Sequence, residues 1–155
     1  MNRAQWLLLA TCALSLYSVG NIWPVQLSSY PLWKHVGVGE FHEYHRAWWH
    51  SIWGVILGPA VLVFVGALLM FLWRAPGVPA WAVSAGFALQ LALVLGTAVW
   101  WGPLMARLEA PGGGLAVERF RLLMRTHWLR VAIVTAYGAL TVWMVAQSAW
   151  LARSG

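Results

Sequence analysis

The stretch QLSSYPLWKHVGVGEFHEYHRAWWH, from Gln26 to His50, lies between two long apolar blocks and carries most of the titratable groups of the first half of the chain. It contains four histidines, two glutamates, one lysine and one arginine, interleaved with aromatic residues. Because the flanking blocks have the length of membrane spans, this stretch is predicted to be a polar segment at the edge of the lipid. Any chemistry of the protein is expected there.

The composition of the whole chain indicates a membrane protein. Hydrophobic residues make up 61% and charged residues 9%, whereas soluble domains have about 25% charged residues. A bilayer accepts so much apolar surface as the outer face of a protein. The two halves have the same composition, so a single membrane domain over residues 1–155 is predicted. The net charge of +6 indicates contact with lipid headgroups rather than nucleic acid, because the cations flank the apolar blocks.

Four segments are long enough to cross a bilayer, at about 20 residues for each span. Such spans must be helices, so the fold class is predicted to be all-α, a bundle of four transmembrane helices over 4–22, 47–73, 79–103 and 127–151. Pro24 and Pro103 are predicted to end the first and third helices, and Pro111-Gly112-Gly113-Gly114 is expected to be a flexible linker. A cleaved secretory signal is the alternative for the first segment, but its length favours a retained helix.

The connections 24–46 and 104–126 are predicted to form one polar, aromatic-rich cap at a common end of the bundle. Lysine and arginine excess marks the cytoplasmic side of bacterial inner-membrane proteins, so the cap is expected to be cytoplasmic and both termini periplasmic. The cations on the cap side are Lys34, Arg46, Arg107, Arg119, Arg121, Arg125 and Arg130, against Arg3, Arg74 and Arg153 on the other side.

Each predicted helix carries a polar stripe at helical spacing. On the second helix, the residues at steps of three and four are expected to face inward; these are Glu43, Arg46, His50, Gly54 and Gly58. Gly54 and Gly58 form a GxxxG pattern that favours close helix packing, and Pro59 is expected to bend the helix near Val55. The other stripes are Thr11, Ser15 and Ser18, then Gln90 and Thr97, then Thr126, Arg130, Tyr137 and Thr141. Together they predict a polar seam that is deepest towards the cap.

The seam suggests a ligand site at the mouth of the bundle, suited to a carboxylate, a headgroup phosphate or a quinone carbonyl. Its predicted members face one another across the second and fourth helices: Glu43, His45, Arg46 and His50 opposite Arg125, His127 and Arg130. The alternative is that these groups only pair with each other and with headgroups. No metal site is predicted, because the histidine spacing does not match HExxH. Haem between His50 and His127 is geometrically conceivable, so haem and quinone both stay open as cofactors.

Thirteen tryptophans cluster near the predicted helix ends, where indole rings ordinarily anchor a protein at the headgroup level. Their excess could also serve contacts with neighbouring subunits or pigments. The single cysteine, Cys12, is expected to be a small buried hydrophobe inside the first helix.

Several motifs carry a resemblance to a known group of proteins. They are Gln26, Tyr30-Pro31-Leu32, Val36-Gly37, Phe41, Tyr44-His45, then Pro59, and finally His127-Trp128-Leu129-Arg130. This pattern resembles a group of small, uncharacterised four-helix membrane proteins of bacteria, and is more remotely similar, in size and helix count, to anthrone-oxygenase-like membrane proteins. The resemblance implies no activity. It groups Gln26, Tyr30, Tyr44, His45, Trp128 and Arg130 as one constellation, although Val131 stands where the group has a threonine.

Two functions are expected from these observations. The first is an accessory membrane subunit that docks in a larger, plausibly bioenergetic, complex through its aromatic surface, with the cap holding a lipid headgroup or a partner. The second is a membrane enzyme acting on a quinone-like or aromatic substrate. In it, His45 would be the acid/base, Arg130 would stabilise an oxyanion, and Tyr44 or Tyr30 would orient the substrate. A small transporter is disfavoured, because inverted repeats and broken helices are missing.

Overall fold

The chain folds into four long helices, each long and apolar enough to cross a membrane. The structure, a computed structural model, describes the backbone of residues 1–154 and the side chains of residues 1–150. The helices are α1 (Arg3–His35), α2 (Phe41–Leu69), α3 (Ala80–Ala106) and α4 (Val117–Ser154). The predicted all-α four-helix membrane bundle is therefore confirmed. The side chain of Arg153 and the terminal Gly155, at the predicted end of the domain, lie outside the described residues.

Three of the four helices widen into a π-helical turn, and all three turns contribute to one interior space. These turns are Val25–Ser29 in α1, Trp53–Leu57 in α2 and Thr97–Trp101 in α3, and each is followed by one residue and then a proline, at Pro31, Pro59 and Pro103. Proline has no N–H and its ring clashes with the carbonyl four residues earlier. In each case the residue before the proline donates its N–H to the carbonyl five residues back. The wider turn therefore lets the helix continue past the proline.

Two predicted helix ends are wrong. Pro24 is expected to end the first helix, but it lies inside the α-helical part Arg3–Pro24 and the chain runs on to His35, although no π turn precedes this proline. Pro103 is expected to end the third helix, yet α3 reaches Ala106, because the π turn Thr97–Trp101 lets the helix continue past the proline. The disturbance expected near Val55 takes the form of the π turn in α2.

The end of the bundle opposite the cap is held together by small residues at close helix contacts. A Cβ atom at Gly66 of α2 would overlap the side chain of Thr11 on α1. Ser15 and Thr141 join α1 to α4 through a buried hydrogen bond of 2.8 Å between their hydroxyls. The GxxxG prediction is wrong in its position, because Gly54 has open space around it. The glycine of α2 that makes a close helix contact is Gly66, about three turns after Gly54.

The segments 24–46 and 104–126 pack against each other as a cap, and the interior of the cap is aromatic rather than polar. The buried residues of its core come from the ends of all four helices and the turn after α3: Tyr30, Trp33, Phe41, Trp101, Met105, Leu108, Phe120 and Leu123. On the surface of the cap, His42 Nδ1 lies 2.8 Å from a carboxylate oxygen of Glu109 and links the two segments. That this end faces the cytoplasm stays a prediction from the cation count.

The connection between α3 and α4 is a closed turn, not the flexible linker that its glycines predicted. The N–H of Ala110 donates to the carbonyl of Gly114 at 2.9 Å, and Glu109 forms an antiparallel bridge with Leu115. Gly113 and Gly114 have φ angles of 83° and 74°, a region that favours glycine. Val38 of the other cap segment packs on both glycines. The glycines therefore shape a tight turn against which the cap closes.

Candidate ligand-binding site

A cavity of about 260 Å³ lies inside the bundle and is lined by residues of all four helices and of all three π turns. Most of its wall is apolar, from aliphatic side chains such as Ile22, Ile56 and Leu93 and from aromatic rings such as Trp48 and Trp49. For comparison, an engineered apolar cavity of about 150 Å³ binds benzene. The cavity is therefore large enough for a ring or a segment of an apolar chain.

Several polar side chains interrupt the apolar wall, and three of them gather towards the cap. Arg130, Tyr30 and His127 lie there, whereas Gln90 and Tyr137 lie deeper in the bundle. The guanidinium of Arg130 lies over the ring of Trp101, 5.6 Å from its centroid. Among residues 1–150 the ion pairs are His42 with Glu109 and Arg121 with Glu118, both at the surface. Arg130 thus reaches the cavity without a carboxylate partner in the described part of the chain.

His127 is held in one orientation by Gln26 of α1. Its Nδ1 lies 2.7 Å from Gln26 Oε1, and Gln26 Nε2 donates to the carbonyl of Met124 at 3.3 Å. Since the amide nitrogen is committed to that carbonyl, Oε1 is the acceptor and His127 Nδ1 carries a hydrogen. The other ring nitrogen, Nε2, is buried and has no partner among the described residues. The His127 ring lines the cavity and is fully buried, so its Nε2 is an unpaired polar atom inside the bundle among the described residues.

Tyr30 and Trp101 separate the cavity from the interior of the cap, since both belong to the cap core and to the cavity wall. The Tyr30 ring packs against the ring of His127, with centroids 4.9 Å apart, and against Trp33 at the same distance. Only 2% of Tyr30 and 5% of Trp101 is exposed. Aromatic packing therefore closes the cavity on the cap side.

The cavity reaches the outer surface between α1 and α2. Its lining residues Tyr17, Trp53 and Val55 are exposed on the side that faces lipid in a spanning bundle. The hydroxyl of Tyr17 donates to the carbonyl of Val55 at 3.0 Å. That carbonyl lacks its usual donor four residues later, because Pro59 has no N–H. A single hydrogen bond thus joins the two helices beside the opening.

The structure brings together four of the predicted site residues and separates the others. Gln26, Tyr30, His127 and Arg130 form the polar end of the cavity or support it. The remaining predicted side chains point outward and do not line the cavity: Glu43, Tyr44, Arg46, His50, Arg125 and Trp128. The predicted inward stripe on α2 is therefore wrong in the cap. There, the inward side of the helix is the apolar one, with Phe41 fully buried and Ile52 8% exposed.

His45 lies in the cap and not at the cavity. Its ring is nearly parallel to the rings of Phe41 and Trp48, at interplanar angles of 7° and 8°. The proposed catalytic grouping of His45, Tyr44 and Arg130 is therefore not formed. His50 is exposed and does not line the cavity, whereas His127 is fully buried in the cavity wall, so the two histidines considered for haem do not share the cavity. The described residues contain no group of three side chains that could hold a metal ion.

The polar stripes of the other helices do meet. Ser15 and Ser18 of α1, Gln90 and Thr97 of α3, and Tyr137 of α4 all line the cavity. Most of these hydroxyls bond within their own helix, as Ser18 does to the carbonyl of Leu14 and Thr97 to that of Leu93. The Tyr137 hydroxyl, in contrast, is buried without a partner among residues 1–150. The seam therefore offers unpaired polar atoms at both ends of an apolar space.

No protein-family profile matches this chain, and comparisons with curated proteins and with solved structures give no significant match. The resemblance to small four-helix membrane proteins of bacteria stays a prediction.

Proposed function

We propose that the protein is a membrane subunit that binds a hydrophobic molecule inside its four-helix bundle. The observation that carries this proposal is the cavity of about 260 Å³, with apolar walls and a few convergent polar groups. Ligand sites combine these two features, since the apolar wall supplies affinity and the polar groups fix orientation. A molecule with an apolar ring or chain and one hydrogen-bond acceptor fits this arrangement, with its acceptor towards Arg130 and Tyr30.

The size of the cavity supports an occupant rather than a packing defect. An enclosed void of about 260 Å³ would cost on the order of 6 kcal/mol at about 24 cal/mol for each Å³, but this cavity opens towards the lipid, so an apolar molecule can fill it. An apolar occupant removes this cost. The opening between α1 and α2 gives such an occupant a way in from the lipid.

Filling the cavity by Ala60→Phe is expected to abolish binding, because Ala60 lines the cavity. The test uses nanodiscs of phosphatidylcholine and two photoreactive probes, dodecanoic acid and dodecanol, each with a diazirine in mid-chain. Labelling of Ile56 and Leu93 is measured by mass spectrometry and normalised to labelling of the lipid-facing Leu62. In the wild type, the excess unlabelled form of at least one probe is expected to suppress this labelling. In Ala60→Phe this suppressible labelling is expected to fall at least about tenfold, equivalent to about 1.4 kcal/mol.

The matched control is Ala139→Phe, which adds the same ring to the exposed side of α4. It is expected to keep wild-type labelling of the cavity. Labelling that neither unlabelled probe suppresses, or equal losses in both variants, would contradict the proposed binding function.

A second candidate, docking as an accessory subunit of a larger membrane complex, is favoured by an aromatic pair on the outside of the bundle. Trp23 of α1 and Trp128 of α4 meet edge to face, with ring centroids 5.8 Å apart. Both are substantially exposed, at 39% and 45%. Paired aromatic rings of this kind are frequent anchors of protein interfaces.

Docking predicts that the protein purifies from its own membrane in mild detergent as part of an assembly. Trp128→Leu is expected to reduce the amount of co-purified partner severalfold, because it removes one ring of the pair. Trp6→Leu, which changes an exposed tryptophan near the other end of α1, serves as the control. A wild-type protein that runs alone in native mass spectrometry rules this candidate out.

A further inference from the structure

We propose that the molecule bound in the cavity is anionic, with a carboxylate or phosphate held by Arg130 and an apolar chain or ring extending into the bundle. This inference rests on the proposed binding function and names the class of its ligand. It depends on three side chains at the cap end of the cavity: Arg130, Tyr30 and His127.

The first argument is charge. Arg130 is the cation of the cavity wall, and its guanidinium makes no hydrogen bond within the described residues. The four glutamates of the chain all lie in the cap and none of them lines the cavity: Glu40, Glu43, Glu109 and Glu118. A cation inside a membrane protein is tolerated when an opposite charge or water compensates it. Since the protein supplies no acid there, an anionic ligand is the partner that balances the charge.

The second argument is hydrogen bonding. The Tyr30 hydroxyl donates to no group of residues 1–150, although Tyr30 is 2% exposed and lines the same cavity as Arg130. His127 Nε2 is also unpartnered, while its Nδ1 is committed to Gln26. In protonated form Nε2 can donate to an anionic oxygen, and in neutral form it can accept from a protonated acid head. Guanidinium and hydroxyl together donate to the several lone pairs of a carboxylate or phosphate, whereas a neutral His127 accepts at Nε2 and suits a head group that keeps one O–H.

A neutral quinone carbonyl fits the cavity less well. It would accept a hydrogen bond from Arg130 but leave the positive charge without compensation in an apolar space. The Trp101 ring beneath the guanidinium offers a cation–π contact, yet it leaves the hydrogen-bond donors of the guanidinium unused. The geometry therefore favours an anion over a quinone.

The source of the anion is either a free amphiphile, such as a fatty acid, or a phospholipid of the bilayer. A lipid could place one chain in the cavity and the other in the opening beside Tyr17 and Val55. The two sources share the same head-group chemistry at Arg130. If the ligand is a phospholipid, the bilayer lipid alone can occupy the site. If it is a free amphiphile, bilayer lipid alone cannot.

The experiment compares the diazirine-bearing acid with the matched alcohol, at alkaline pH and in phosphatidylcholine nanodiscs. Labelling of Ile56 and Leu93 in the wild type is expected to prefer the acid by at least about tenfold. Arg130→Gln is expected to bring this ratio close to one, and Arg130→Lys to give an intermediate value, because lysine keeps the charge but loses the planar fork. Unlabelled dodecanoate and dodecyl phosphate are expected to compete, and decylubiquinone is not.

The control variant is Arg125→Gln, which removes the same charge from an exposed position on the same helix. It is expected to keep the preference for the acid, which separates binding at Arg130 from attraction of anions to the membrane surface. Adding phosphatidylglycerol to the nanodiscs identifies the source, since a lipid occupant would suppress labelling and a free amphiphile would not. Either result is compatible with an anionic ligand.

Equal labelling by acid and alcohol in the wild type, or a preference that survives Arg130→Gln, would overturn the inference. In both cases suppressible labelling of the cavity would still support the proposed binding function. Labelling that no probe suppresses would instead refute the binding function itself. Retained alcohol labelling in Arg130→Gln shows that the variant is folded.

Discussion

The variant Gly66→Ala is expected to unfold at a markedly lower temperature than the wild type, whereas Gly54→Ala is expected to be as stable as the wild type or slightly more so. At Gly66 the added methyl group overlaps the Thr11 side chain, at a contact between α1 and α2. Overpacking of this kind typically costs about 1–3 kcal/mol. At Gly54 nothing lies within 4 Å of the added atom, and alanine is favoured over glycine in helices by up to about 1 kcal/mol.

Thermal unfolding of both variants in the same detergent, followed by circular dichroism, measures this contrast. Thr11→Ala in the Gly66→Ala background is expected to recover part of the loss, because it removes the hydroxyl and methyl that the new Cβ meets. Equal midpoints for the two glycine variants would show that α1 and α2 do not pack at Gly66.

A second large effect is expected from Gln26→Leu. This change takes away the acceptor of His127 Nδ1 and the donor to the carbonyl of Met124. Leaving buried polar groups unpaired costs about 1–3 kcal/mol for each group. Thermal or denaturant unfolding is expected to show a loss of this size. The control is Gln147→Leu, a partly buried glutamine of α4 outside the cavity wall, which is expected to have little effect.

The double variant Gln26→Leu with His127→Phe is expected to be more stable than Gln26→Leu alone. Replacing both partners by apolar groups of similar shape removes the unpaired ring nitrogen along with its lost acceptor. If the two changes are simply additive, the hydrogen bond between Gln26 and His127 does not stabilise the fold. The tautomer assigned to His127 would then lose its support.

The number and class of the helices follow from the sequence, because length and apolar composition decide what can cross a bilayer. The helix ends do not follow from it. Pro24 and Pro103 are predicted as stops, but both helices continue, and Pro31, Pro59 and Pro103 each follow a π turn. The signal for this was present, since all three prolines lie within or directly beside apolar stretches that continue past them. A proline in such a stretch indicates a widened turn rather than a helix end.

The candidate site could be predicted for α1 and α4 but not for α2. Helix spacing predicted His127 and Arg130 at the site, and the resemblance named Gln26, Tyr30 and Arg130 but also Tyr44, His45 and Trp128, which do not line the cavity. On α2, polar residues were assigned to the inward face along the whole helix. Inside lipid the polar face of a helix turns inward, but in the water-exposed cap it turns outward, so Arg46 is exposed and Phe41 is buried. The direction in which the polar residues face therefore differs between the cap part and the membrane part of α2.

The position of the opening beside Tyr17 and Val55 has a consequence for how occupancy is measured. Tyr30 and Trp101 block the route from the cap, so a molecule exchanges with the surrounding leaflet rather than with bulk water. Its effective concentration is its mole fraction among the lipids, which partitioning can raise far above its aqueous solubility. Weak intrinsic affinity is then sufficient for high occupancy, and dissociation constants are meaningful only when expressed per lipid.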